Sequence, residues 1–364
     1  MATMNIQLQN NTSNNPVYAS ITGQALDNGN RVCLIQSDGK TPYYPDSPSA
    51  IQTALSANCS ILIPANQTVT VTIPQLAGGR IWFSIGKPLV FLLNPGPALV
   101  EPSVSNPTDP SIDISWSFCE FTFANNSIYA NISYVDFVSL PIAMTLTPTS
   151  GAPQVVKGLK ETGLADVCQG LKALGGDWSK LIFNGSNGQP LRVLSPNNAL
   201  VMNGGNLFRG YFEPYVDQVW TNYTTTPMLV DTQAQWGQVS GTVQNNILTF
   251  PGIGTFAKPS TADIFSCSTG PFASNIGALG PLTARISAGF NRSTLLENVV
   301  HPDQEQISSY YAQPITNHYA ALVHSANLDG RGYAFPYDDV PGAGGVDQSG
   351  FVNGPPKEFL VTLG

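Results

Sequence analysis

Between residues 16 and 146 the chain is a succession of short β-branched and aromatic runs punctuated by Gly, Pro and Asn: VYASITGQAL, RVCLIQS, SILIPANQTVTVTI, GRIWFSI, LVFLLN, ISWSFCEFTF, IYANISYVDFV and IAMTLTP. Runs this short and frequent predict strands of a β-sandwich or barrel. The pattern changes after Gly151. Residues 155–175 place Val156, Leu159, Leu164, Val167, Leu171 and Leu174 at three- to five-residue spacings, which predicts an amphipathic helix interrupted near Gly163. Mixed signals follow to about Asp329, including a helix expected over 315–328 that holds His318 and His324, and the chain closes on a strand-like FLVTL. The expected architecture is mainly β with an α+β insertion: residues 1–150 together with 331–364 as a β-barrel or sandwich domain, and 151–330 as a mixed α/β domain.

Within the first part, CEFTFANNSIYANISYVDF at 119–137 reads as a hairpin with one carboxylate on each strand, Glu120 and Asp136. From residue 111 to 156 the charged residues are Asp113, Glu120 and Asp136, with Lys157 the next basic one. Side chains alternate faces with period 2, so each acid falls on the more apolar face of its own strand. A three-residue loop, 125–127, would align the even positions and put both acids on one side of the sheet, whereas a two-residue turn would separate them. In the aligned register Glu120 faces Ile132 and Asp136 lies roughly 13 Å further along at about 3.3 Å per residue, so curvature or a bulge must close the gap. A carboxylate on an apolar face without a cation has its ionised form disfavoured, as a general acid requires. The plainer alternative is that both acids sit at a sheet edge or accept backbone hydrogen bonds.

Composition narrows the class. Charged residues are 10% of the chain, against about 25% in ordinary soluble domains, so Asn, Ser, Thr, Gln and Gly must supply surface polarity, as in secreted or wall-associated proteins. Fifteen Lys and Arg against 23 Asp and Glu give a net charge of -8; with no basic cluster to follow phosphates, nucleic acid is excluded as a partner. The most apolar stretch, 81–93, is broken by Gly86, Lys87 and Pro88 and is shorter than the roughly 20 residues that span a bilayer, so no membrane partner is expected. The start, MATMNIQLQNNTSNN, has neither the basic leader nor the apolar run of a signal peptide; the expectation is a secreted protein whose natural leader has been trimmed. Sequons at Asn66, Asn131, Asn184 and Asn291 fit that route. Of five cysteines, Cys33 with Cys59 and Cys168 with Cys267 are expected as bridges, each pair lying within one proposed region, and Cys119 as a buried thiol.

At CEFTFANNSIYANISYVDF the chain resembles glycoside hydrolase family 64, the β-1,3-glucanases related in fold to thaumatin-like proteins. GGRIWFS (78–84), LVEPS (99–103), GYFEPYVDQVW (210–220), NHYAALVHSANLDGRGYAFPYDDV (317–340) and FLVTLG extend the resemblance from near residue 78 to the end, while the stretch to about Leu76 offers no matching motif. The resemblance implies endo-acting, inverting hydrolysis of β-1,3-glucan (laminarin, curdlan, fungal-wall glucan), often releasing laminaripentaose, in a wide groove between a thaumatin-like β-barrel and a mixed domain. It implies Glu120 as general acid and Asp136 as general base, with water attacking from the opposite ring face. It also implies groove roles for Thr122, Ser133, Tyr129 (where the bacterial pattern often has Trp), Asp338, Asp339 and, less directly, Asp217. The glucan is the expected partner, with the chain a monomer and no cofactor. The alternatives are a non-catalytic thaumatin-like glucan-binding protein, which five cysteines serve poorly, and a secreted structural glycoprotein.

Other features carry less. Three histidines, with no H-E-x-x-H, exclude a zinc protease pattern and no catalytic metal is expected; no G-x-S-x-G elbow is present, and GAGG at 342–345 reads as a turn. Trp220, with Tyr215 and Tyr223, could stack on sugar rings, though core packing is the commoner use of such residues.

Overall fold

The structure, a computed structural model, describes residues 2–13, 15–274 and 276–364. Its largest sheet runs in the order Phe351–Gly354, Ser127–Ile132, Trp116–Ala124, Leu76–Ile85, Val17–Ala25, Arg31–Ile35, Pro42–Tyr43. A second, five-stranded sheet places the closing strand Pro356–Leu363 between Thr3–Asn10, to which it is parallel, and Ile142–Pro148. The two ends of the chain therefore meet in one sheet. Alternation explains the core: Met4, Ile6 and Leu8 on the first strand, and Phe359, Val361 and Leu363 on the last, are buried every second residue.

The later half is mixed. It contains a five-stranded sheet, Gly254–Phe256, Ile247–Phe250, Gln238–Gln244, Met228–Asp231, Val300–His301, and the 14-residue helix Leu279–Arg292. The helix expected over 155–175 starts only at Gly163 and runs to Leu174. Gln154–Val156 is instead an edge strand on Ile142–Pro148, because two β-branched residues beside a free strand edge pair more readily than they open a helix. The helix expected at 315–328 is His318–Ala326, and its N-terminus is capped by Asn317, whose side chain accepts from the Ala320 N–H at 3.1 Å. These two helices pack closely at Gly170, where a Cβ would lie 2.3 Å from Leu322 Cδ2.

All five cysteines are free, buried thiols, so neither expected bridge is present. Cys168 sits on Gly163–Leu174, whereas Cys267 terminates Thr261–Ser266 and contacts Ile264 and Asn291. Sharing a stretch of sequence did not place that pair together. Burial pushes the Cys33 thiol up to about 12 and the Cys59 thiol up to about 11. Asn291 is fully enclosed and Asn131 nearly so, and neither can carry a glycan in the folded chain.

Candidate active site

The Glu120 hairpin turns through two residues, Asn125 and Asn126, at φ 52° and 57°. Asn tolerates this left-handed backbone, and two such residues make the tight turn that suits strand twist. The three-residue loop that would have aligned the even positions does not form. Glu120 therefore faces Asn131 rather than Ile132, and Thr122 faces Tyr129.

A continued period of 2 would now send Asp136 to the opposite face from Glu120. It does not, because the strand ends at Ile132 and the chain changes sheets. The Tyr134 N–H donates to the Tyr333 carbonyl at 2.8 Å, the Tyr134 hydroxyl to Asn327 Oδ1 at 3.1 Å, and the Tyr319 hydroxyl to the Tyr134 carbonyl at 2.6 Å. Phe137–Val138 then pairs with Pro190–Leu194 in a separate three-stranded sheet. The break between two sheets resets the phase and returns Asp136 to the side of Trp116 and Phe118, with which it lines a cavity of about 170 Å³.

Glu120 lines an adjoining open cavity of about 450 Å³ with Thr122, Tyr129, Asn131 and Glu101. Arg80 borders both cavities, Glu120 lining one and Asp136 the other. This corrects the expectation of an acid without a cation. Arg80 sits directly opposite Glu120 on the next strand, forty residues earlier in the chain, and its Nε and Nη2 each donate to Glu120 Oε1 at 3.3 Å. Its Nη1 donates to Glu101 Oε2. Thr22, Arg80, Glu120, Asn131 and Phe351 form one cross-strand row, of which Arg80, Glu120 and Asn131 line the cavity, and Arg80 also lies over the rings of Trp82 and Phe118.

Asp136 is held differently. Its Oδ1 accepts from Asn198 Nδ2 at 2.9 Å, and its carbonyl from the Ser195 N–H at 2.9 Å. Both partners belong to the capped start of the helix Pro196–Met202. One carboxylate oxygen is thus oriented by the later half of the chain, and the other is left to the cavity.

The remaining expected site residues divide. Tyr129 is 42% exposed and stacks on Phe351, with ring centroids 5.2 Å apart. Burial against the groove wall, with the Asp347 and Asp339 charges nearby, pushes its hydroxyl up to about 12. Ser133 is buried and bridges Tyr333 in the backbone. Asp339 is exposed, and partial desolvation together with Asp347 raises its carboxyl. Asp338 is a correction: it is fully enclosed, where Arg292 Nη2 at 3.2 Å, His324 Nε2 at 2.9 Å and the Ala334 N–H at 3.1 Å saturate it. It braces the loop instead of facing a sugar. Trp220 is also internal, donating to the Asn246 carbonyl and stacking on Phe290, and Asp217 is an exposed partner of Lys258. Neither lines the two cavities, because helix Glu213–Asn222 turns its aromatic side into the core.

Sequence reasoning missed Arg80, Glu101, Asn131 and Asn198. Arg80 and Glu101 stood inside GGRIWFS and LVEPS, but only strand pairing reveals what they meet. Asn131, paired with Glu120 across the hairpin, lines the cavity, and its Nδ2 is buried without a hydrogen-bond partner. Among the described residues no group of three or more His, Cys, Asp or Glu is arranged to hold a metal ion, and no helix is long and apolar enough to cross a membrane. A larger cavity, about 580 Å³, opens between Pro196–Met202 and Thr261–Ser266. Its lining is mostly apolar, and its carboxylate, Glu213, is occupied by Thr261.

Comparison with known proteins bears on this arrangement. The glycoside hydrolase 64 family model, described as β-1,3-glucanase, matches residues 2–363 and so includes the N-terminal stretch that offered no motif. A glucan endo-1,3-beta-glucosidase of Cellulosimicrobium cellulans is 26% identical over 369 residues, covering 100% of this chain and 65% of the relative. The chain thus spans just under two thirds of that relative's length. Among solved structures, a laminaripentaose-producing beta-1,3-glucanase in complex with laminaritetraose aligns at a TM-score of 0.88 and 30% identity, over 100% of this chain and 99% of the other. A beta-1,3-glucanase domain from Clostridium beijerinckii aligns at 0.76 and 21%, over 99% and 98%, a likeness of fold. With a family match running almost from end to end, the chain belongs to glycoside hydrolase family 64.

Proposed function

We propose that this protein is an endo-acting β-1,3-glucanase that hydrolyses its substrate with inversion at the anomeric carbon. The observation that carries the reading is the placement of Glu120 and Asp136 in two cavities that Arg80 borders, in a chain of this family. Asp136 lines its cavity with Phe118, two residues before Glu120 on the strand, an offset of roughly 7 Å along the strand. Inversion needs the two carboxyl groups roughly 6.5 to 9.5 Å apart, which leaves room for an attacking water between them.

In this reading Glu120 protonates the departing glycosidic oxygen from Oε2, the oxygen that Arg80 leaves free. Asp136, oriented by Asn198, takes a proton from a water on the opposite face of the ring, and that water attacks the anomeric carbon as the bond to the leaving sugar breaks. The two reactive groups start in opposite protonation states and finish exchanged, and solvent resets them. Tyr129 and Phe351 offer a stacking surface for a pyranose ring, while Thr122, Asn131 and Asp339 meet its hydroxyls. Short laminari-oligosaccharides, laminaripentaose among them, are the products this assigns.

The same proposal treats residues 1–150 with 331–364 as a thaumatin-like β domain, to whose edge Gln154–Val156 adds, and 151–330 as the mixed domain that supplies Asn198. It places the protein outside the cell as a monomer. Digestion of insoluble curdlan provides the test: soluble oligosaccharides are expected in the supernatant. Retention of the protein on the glucan without any released sugar would point to a binding protein instead.

A further inference from the structure

Arg80 poses a chemical difficulty for a proton donor. A guanidinium beside a carboxyl favours the ionised form, yet a general acid must hold its proton until the bond breaks. Resting on the reading of Glu120 as proton donor, we infer that Glu101 and Arg80 are a positioning pair for that group. Glu101 offsets the guanidinium charge, so that Arg80 orients Glu120 through Oε1 without stripping the proton carried on Oε2.

The geometry supports each part of this. Both contacts from Arg80 to Glu120 converge on one oxygen, Oε1, at 3.3 Å. That arrangement anchors Oε1 and leaves Oε2 unoccupied by Arg80. The closer contact of Arg80 is the one to Glu101. Glu101 is itself steadied by the Thr22 hydroxyl at 3.5 Å, which receives the Trp82 indole N–H at 3.0 Å. Burial is the largest influence on the Glu101 carboxyl and, with the Glu120 charge, leaves it raised overall, against the Arg80 charge and the Thr22 hydrogen bond that favour the ionised form; the two glutamates sense each other across the guanidinium. One cation between two carboxyls is neutral overall when Glu120 is protonated and Glu101 is not, the state needed at the start of the reaction.

The other titratable groups around Glu120 are the buried Cys119 thiol next to it in the chain, Tyr129 across the hairpin, Tyr333 from the C-terminal loop with Asp339 and Asp338 behind it, and Asp136 beyond Arg80. None of these places a second cation against Glu120. The Arg80 charge is therefore balanced chiefly by Glu101.

The pH dependence of kcat on laminarin separates this role from simple support. In the family reading the alkaline limb marks loss of the donor's proton. Glu101→Gln leaves Arg80 uncompensated and is expected to move that limb down by about one pH unit. Arg80→Gln removes the cation and leaves two acids together, and the limb is expected to move up. A structural role alone would lower kcat and leave the limb in place. If Glu120→Gln is inactive but neither variant displaces the limb, or both displace it the same way, the positioning pair is wrong and the glucanase reading stands. If Glu120→Gln retains wild-type activity, both fall. Should Glu101→Gln fail to fold, the upward displacement in Arg80→Gln still decides.

Discussion

Replacing Glu120 by Gln is expected to lower kcat on laminarin by about 10³-fold, and Asp136→Asn by a similar factor, with KM changed much less; general acid and base groups typically contribute about 10² to 10⁴. Each substitution keeps the shape and hydrogen-bonding outline of the side chain while removing its capacity to exchange a proton. In the first variant Arg80 can still donate to the new amide's carbonyl oxygen, and in the second Asn198 can do the same, so the cavities should persist. A loss in kcat without a comparable rise in KM indicates an interaction made in the transition state and not in substrate binding. Near wild-type turnover in either variant would remove the assigned role.

The second large effect is on stability. Asp338→Asn is expected to destabilise the fold by about 3 kcal/mol, because breaking a buried ion pair strands the remaining charge. That charge is Arg292, fully enclosed, which also donates to the Val340 carbonyl at 2.7 Å and the Asp338 carbonyl at 2.8 Å. Burial opposes ionisation of Asp338, but His324 and Arg292 outweigh it and hold its carboxyl below the usual range. Burial likewise opposes the His324 imidazolium, and the Asp338 carboxylate reverses the sign, so His324 is raised. The stability from Asp338 is present above its unfolded value of about 4 and lost as pH falls through its lower folded value. The stability from His324 is present below about 6.5 and lost as pH rises through its higher folded value. The two overlap between roughly pH 4 and 6.5, where the wild type should gain most over the variant. Urea midpoints measured across pH test this; equal midpoints throughout would contradict the brace.

Asp338 also marks the boundary of what a sequence can reveal. Beside Asp339 it looks like half of a groove pair, yet Asp338 points into the protein and Asp339 outwards. Adjacent acids in a loop carry no period from which to tell them apart. The strands between 16 and 146 were legible because alternation survives wherever one face of a sheet is buried. Family resemblance singled out Glu120 and Asp136, but strand geometry did not place them in neighbouring cavities, because that placement depends on an Asn125-Asn126 turn and on a change of sheet after Ile132. Arg80 and Glu101 were unreadable in role for the same reason: their meeting with Glu120 is a matter of strand order, and the run of charges along residues 111–156 holds no trace of it. Trp220 and Asp217 shared a matching motif whose aromatic face serves packing. Neither expected bridge forms: Cys33 and Cys59 stay free although Cys33 feels the Cys59 charge, and Cys168 and Cys267 sit on different helices, the second at its helix's end.

The central claim is that a water, activated by Asp136, attacks from the face of the sugar opposite the bond that Glu120 protonates. Proton NMR of fresh digestion products, recorded before mutarotation, tests it most directly. The account predicts that the newly formed reducing ends appear first as the α-anomer; first appearance of the β-anomer would mean retention and would contradict it.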